Sequence, residues 1–250
     1  LVVGSYAVAM FIKTPRMPIF GETLIGSDFF MGPGGKGSNQ AIAAARSGGS
    51  VSFISKLGKD NYSELALSLY REAGINFDGI QFDPINPTGA AGIMINEKTG
   101  ENAINVVPGA AGTIDQSMID EYLPIIKDSK IFLTQLETPK DVTFYALKKA
   151  KECGATTILN PAPASTFSKD FFELIDFFTP NETEASFYLN KNIESEKDCI
   201  EAGKEFLDMG VKNILITLGD KGCFFKNRNE EFLIPAKKLN NPVIDTTGAG

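Results

Sequence analysis

Apolar positions along the chain switch between two periods, and glycine marks the switch. Four times a segment with apolar residues three or four apart ends at a Gly and gives way to a short β-rich run. The junctions are Ser47-Gly48-Gly49 into Val51–Ile54, Ala73-Gly74 into Ile75–Phe77, Cys153-Gly154 into Thr156–Leu159, and Met209-Gly210 into Val211–Thr217. Glycine tolerates the left-handed conformation that ends a helix, so each junction reads as a helix stop followed by a strand. Val142, Ala146, Ala150 and Cys153 carry the helical spacing before one junction; Cys199, Ala202, Phe206 and Met209 carry it before another. Helices alternating with strands predict an α/β fold with a mostly parallel, doubly wound sheet covered by helices on both faces. Lys130–Leu136 reads as a buried central strand.

One region breaks the rhythm. Thr88–Asn96 reads as a strand, Glu97-Lys98-Thr99-Gly100 as a turn, and Glu101–Val107 as the returning strand. Residues from Phe11 to Phe30 are also extended in character. Together they predict a small β-sheet. It is either a flap that closes over a substrate or an ordinary edge hairpin. The expected division is a core of 1–8, 33–85 and 109–250, with a lid of 9–32 and 86–108.

Composition narrows the chemistry. The chain has 250 residues, 43% of them hydrophobic, which is enough for one large core. The formal net charge of −7 and the lack of a basic cluster argue against nucleic acid as partner. No apolar run is long enough to span a membrane. Cys153, Cys199 and Cys223 form no CxxC pair and read as reduced thiols of a cytoplasmic protein. The chain contains no histidine. That removes Ser-His-Asp, Cys-His and HExxH chemistry together. Any general base must be a carboxylate, Lys or Tyr, and a carboxylate suits attack of a hydroxyl on phosphorus.

Gly32-Pro33-Gly34-Gly35-Lys36-Gly37-Ser38-Asn39-Gln40 opens a helix. It formally matches the dinucleotide fingerprint but stands about 27 residues after Ser5, and no acidic residue ends a second strand at the required distance. The Walker A pattern fails because Gly37 follows Lys36. What remains is a glycine-rich turn at a helix N-terminus, with Lys36 and Asn39 facing one space. Four glycines within Gly32–Gly37 exceed what a turn needs and point to a ligand site. Asp245-Thr246-Thr247-Gly248-Ala249-Gly250 reads either as a second helix start, able to stabilise a transferring phosphoryl group, or as a plain loop. In Thr179-Pro180-Asn181-Glu182-Thr183-Glu184, Asn181 reads as an N-cap with favourable acidic residues behind it; Glu184 could instead help hold Mg²⁺ and phosphate. Ile216–Gly222 is either a hairpin turn or a loop whose backbone and Thr217 touch phosphates. Asn160-Pro161-Ala162-Pro163-Ala164 is a rigid loop at a strand end, where open α/β sheets bind ligands.

Taken in order, these segments resemble ribokinase and the wider carbohydrate kinase family named after the minor phosphofructokinase. Gly34–Gln40 looks like the first family signature and Asp245–Gly250 like the start of the second. Gln135-Leu136-Glu137, Asn160–Pro163, Thr179–Glu184 and Ile216–Gly219 look ribokinase-like. The resemblance implies phosphorylation of a small sugar's primary hydroxyl by ATP. It implies that Gly35, Lys36, Asn39 and Glu137 contact the sugar. Asn181, Glu184, Thr217, Gly219 and Gly222 would line the nucleotide side, with Glu184 serving Mg²⁺. Gly248, Ala249 and Gly250 would form an anion hole, and Asp245 and Thr247 would serve K⁺. The small sheet would be a lid that also forms a homodimer contact.

Two departures from the family pattern matter. The family signature continues with the Asp that acts as base, which would follow Gly250; the 250 residues alone are therefore expected to be inactive, as part of a longer active protein. The family also places an Asn and an Asp after the first strand, where this chain has Ala7 and Ala9. An apolar wall there makes ribose a poor acceptor by expectation. A nucleoside or fructose-type acceptor is the alternative within the family, and a non-catalytic sugar-binding or regulatory module the alternative outside it.

Overall fold

A computed structural model describes residues 1–238. The elements begin with β1 (Val2–Val3), β2 (Ala7–Thr14), β3 (Asp28–Gly34), α1 (Lys36–Arg46), β4 (Ser52–Gly58), α2 (Asn61–Ala73), β5 (Asn76–Asp83), β6 (Thr88–Asn96) and β7 (Asn102–Gly109). They continue with α3 (Gln116–Glu121), α4 (Leu123–Lys127), β8 (Ile131–Thr134), α5 (Lys140–Glu152), β9 (Thr156–Leu159), β10 (Phe177–Phe178) and α6 (Glu182–Leu189). Last come α7 (Glu196–Asp208), β11 (Asn213–Thr217), β12 (Cys223–Asn227) and β13 (Glu231–Ile234). The fold is α/β, with a large, mostly parallel sheet flanked by helices and a small sheet of four strands. This is the class that the alternation of elements predicts. Gly48, Gly74, Gly154 and Gly210 all take positive φ, so the four helix stops are real. Gly32–Gly34, expected as part of a turn, instead finishes β3.

The described residues divide into two compact units, 1–3 with 115–238, and 4–114. In the first unit, seven strands of the large sheet run in the order β13-β12-β11-β10-β9-β8-β1. Pairing is parallel from β1 through β11, and β11–β12 and β12–β13 are antiparallel. Val142, Ala146 and Ala150 of α5 are buried, as are Cys199, Ala202 and Phe206 of α7, so the spacing read from sequence marks the core faces. Aromatic rings fill much of this core: Phe178 lies 5.4 Å from Phe172 and 5.1 Å from Phe206. Asp176, just before β10, ties three strands and a helix together. Its carboxylate accepts from Lys151 at 2.5 Å, Lys212 at 2.7 Å and the Thr157 N–H at 2.9 Å. Burial raises its pKa, but these donors more than offset that and hold it well below the usual carboxylate range.

In the second unit β4 and β5 pair in parallel and pack with α1 and α2. Phe53, Leu57 and Tyr70 are fully buried there. The Tyr70 hydroxyl donates to the Ser38 hydroxyl across the two helices, at 3.0 Å. The small sheet belongs to this unit and has the order β3-β2-β6-β7. Its outer pairs are antiparallel and its central β2–β6 pair is parallel.

Candidate functional site

The residues expected to meet the sugar, apart from Glu137, lie in the second unit. Gly35 caps α1 with φ +87°. A Cβ at Gly35 would lie 2.7 Å from the Tyr6 Cα and 2.8 Å from the Ala7 nitrogen; one at Gly37 would lie 2.7 Å from the Gly4 Cα. No real Cβ tolerates such contacts, so the first turn of α1 rests directly on the backbone of residues 4–7. The Ser38 N–H donates to the Ser5 carbonyl at 2.9 Å and fixes that contact. The glycine count therefore has a packing cause at two of its four positions. What marks this helix end is its cap. Gly35 offers no side chain, and no acidic residue stands in the first turn. Lys36, half-buried, and Asn39, exposed, project from that turn.

Ala7 and Ala9 begin β2 beside this turn, and each is 3% exposed. Ala9 joins Ala91, Ile93 and Ile95 of β6 in an apolar cluster, with Phe11 packed against it. The cross-strand register places Ala9 opposite Gly32 and Ala91.

The remaining described candidates lie in the first unit, at the carboxyl ends of its parallel strands. That is where open α/β sheets bind ligands. Glu137 follows β8 and is half-buried. Its neighbour Leu136 donates its N–H to the Ala162 carbonyl of the Asn160–Ala164 loop at 3.0 Å. Asn160 reaches across to the Thr179 carbonyl at 2.7 Å, which leads into Asn181. Asn181 bridges to Thr217 at the end of β11. These contacts gather Glu137, Asn181 and Thr217 along one edge of the sheet.

At the start of α6, the Glu184 N–H donates to the Asn181 side-chain oxygen at 2.7 Å, and the Asn181 N–H donates to the Glu184 carboxylate at 2.9 Å. This is a reciprocal capping box, so the structural reading of Asn181 and Glu184 is realised. Gly219 and Gly222 flank the turn between β11 and β12. Gly222 is required by close approach, since a Cβ there would lie 1.9 Å from the Ile234 carbonyl oxygen. Gly219 has φ +57° and open space around it.

Among the described residues no three His, Cys, Asp or Glu side chains cluster as a metal cage. A Mg²⁺ that bridges phosphates needs only one or two protein carboxylates. Glu184 carries a carboxylate, which accepts the Asn181 N–H in the capping box. Asp245, Thr247, Gly248, Ala249 and Gly250 lie outside the described residues. Sequence reading missed Asp60, the side-chain cap of α2, although a strand end, Gly58, two residues before an Asp and a helical pattern was the available signal.

Comparison with known proteins agrees with this architecture. The model of the pfkB family carbohydrate kinases matches residues 1–250. The bifunctional ribokinase/ribose-5-phosphate isomerase A of Fructilactobacillus sanfranciscensis is 36% identical over the whole of this chain, which spans 46% of that longer protein. The deoxyribokinase of Salmonella typhi is 32% identical, and the chain covers 81% of it. The solved structure of Arabidopsis thaliana ribokinase complexed with ribose and ATP superposes with a TM-score of 0.90 at 30% identity, covering 99% of this chain and 80% of that one. The α/β fold with its small mixed sheet and the family match converge: the chain belongs to the pfkB family of carbohydrate kinases.

Proposed function

We propose that this protein transfers the γ-phosphoryl group of ATP to the primary hydroxyl of a small sugar that is deoxygenated, or carries an apolar substituent, where it meets Ala7 and Ala9. The observation that carries the acceptor class is that Ala9 packs among the apolar side chains of Ala91, Ile93, Ile95 and Phe11, which themselves cannot hydrogen-bond a hydroxyl. A hydroxyl buried there without a partner costs roughly 1–3 kcal/mol. A deoxyribokinase is among the relatives, at 32% identity, beside ribokinases at 36%.

In this reading Lys36 and Asn39, at the start of α1 where no side chain caps the helix, hold the remaining hydroxyls, and Glu137 is a further expected sugar contact. Asn181, Glu184, Thr217, Gly219 and Gly222 line the phosphates, and Gly248, Ala249 and Gly250 stabilise the charge in transfer. Mg²⁺ on the phosphates, with Glu184 nearby, would neutralise that charge. Asp245 and Thr247 are the expected K⁺ ligands. The β2–β3–β6–β7 sheet, with residues 9–32 and 86–108, would be a lid. Its exposed Phe29, Met31, Ile104 and Val107 suit a homodimer contact. No described helix is long and apolar enough to cross a membrane, and a cytoplasmic location suits the free cysteines.

The test is a phosphorylation screen of the full-length protein against ribose, 2-deoxyribose, fructose and nucleosides. A deoxy-sugar should have the highest kcat/KM. Ribose as the best acceptor overturns the assignment, and sugar binding without transfer replaces the kinase by a binding module.

A further inference from the structure

Asp60 makes more contacts than a helix cap needs. One carboxylate oxygen accepts the Tyr62 and Ser63 N–H groups at 3.1 Å each, which caps α2. The same carboxylate also grips Thr88 twice. It accepts the Thr88 N–H at 2.7 Å and the Thr88 hydroxyl at 2.8 Å. The Thr88 hydroxyl in turn accepts the Gly58 N–H at 3.0 Å. Thr88 is 4% exposed, and a Cβ on Gly58 would lie 2.4 Å from the Thr88 nitrogen. The knot is therefore tight, and it joins the end of β4 and the start of α2 to the first residue of β6. A second carboxylate holds the neighbouring connection. Asp83 accepts the Ile85 and Asn86 N–H groups at 2.8 and 2.9 Å, and the Thr113 hydroxyl beyond β7 at 2.9 Å. Both ends of the β6–β7 hairpin are thus clamped where they leave the α/β part of the unit.

We infer that Asp60 and Thr88 position the acceptor-facing surface of the small sheet, Asp60 clasping the root of β6 and so setting where Ala91 and Ile93 stand. The inference rests on the acceptor reading given above. Ile93 is five residues along the strand from Thr88, about 17 Å at the usual rise. β6 pairs with β2 along its length, so Ala9 tilts with it. A tilt of about 10° at the root displaces that face by about 3 Å, and misplacements of about 1 Å already slow enzymes severely. Asp60 and Thr88 touch neither sugar nor nucleotide in this scheme; they act through β6.

Thr88→Val removes the hydroxyl while leaving the α2 cap and the backbone donor in place. In the full-length protein it should raise KM for the acceptor by about tenfold and leave KM for ATP within about twofold. Thr88→Ser restores the hydroxyl and should restore KM. Asp60→Asn should repeat the acceptor effect. Hydrogen exchange should accelerate at β6 and β7 amides in Thr88→Val and not in α1 or α2. A Thr88→Val protein with wild-type acceptor KM and unchanged β6–β7 exchange overturns the assignment alone, even if its Tm is lower. A wild-type protein that phosphorylates no sugar overturns the acceptor reading together with this one.

Discussion

The starts of α1 and α6 are both helix ends expected to face a ligand, and they are built in opposite ways. At α6 the chain closes the end on itself, with Asn181 and Glu184 side chains taking up two backbone donors. At α1 there is no capping side chain, and the turn is held by backbone lying on backbone at Gly35 and Gly37. The four orphan N–H groups of a helix must find partners somewhere. At α6 side chains supply two of those partners. At α1 one donor goes to Ser5, and the rest of the end lacks any side-chain cap. A glycine-built end admits a ligand close to the backbone but gives up tolerance to any added atom. A side-chain-built end tolerates change in small steps.

That contrast sets the order of expected effects. Gly35→Ala should be the most damaging, about 3 kcal/mol, because its Cβ would meet backbone and its φ of +87° disfavours any side chain. Gly219→Ala serves as control: with open space around it, only the backbone conformation is strained, about 1 kcal/mol. Urea denaturation of both variants would break the comparison if Gly35→Ala cost no more than Gly219→Ala.

Next comes Asp176→Asn, which breaks the charged knot in the first unit. Loss of hydrogen bonds to charged partners predicts about 2 kcal/mol at pH 7. The folded pKa of Asp176 lies below its unfolded value near 3.9. Its contribution is therefore fully present above about pH 4 to 5 and lost as pH falls through the folded value. The gap in Tm between wild type and variant should narrow below about pH 4; a gap independent of pH would show that the charge is not the cause. Smallest is Asn181→Ala, which removes one half of the capping box. It should cost about 1 kcal/mol, read as a Tm lower by about 2–4 °C.

Much of this was legible from local pattern. Helices stop at Gly48, Gly74, Gly154 and Gly210 because a helix stop is a local event, coded within a few residues. Thr156–Leu159 and Thr88–Asn96 were read with the bounds they have in the structure. The Asn181 cap was readable for the same reason. The glycine-rich turn was read in place but for a partial reason. Its excess of glycine looked like a mark of ligand alone, whereas Gly35 and Gly37 also answer to residues 4–7, about thirty positions earlier. The cap that Asp60 places on α2 had a local signal, but its clasp on Thr88, 28 residues away, had none.

By itself the sequence determined the alternation of elements, the lack of histidine in these 250 residues, the family, and the apolar pair Ala7 and Ala9. Those follow from spacing and residue type, which need no coordinates. Only the tertiary structure decided which glycines are forced by contact, that β2 and β6 pair in parallel, and that a carboxylate at residue 60 holds the root of a strand beginning at residue 88. Such features depend on which distant segments meet, and periodicity of 2 or 3.6 residues carries no record of that.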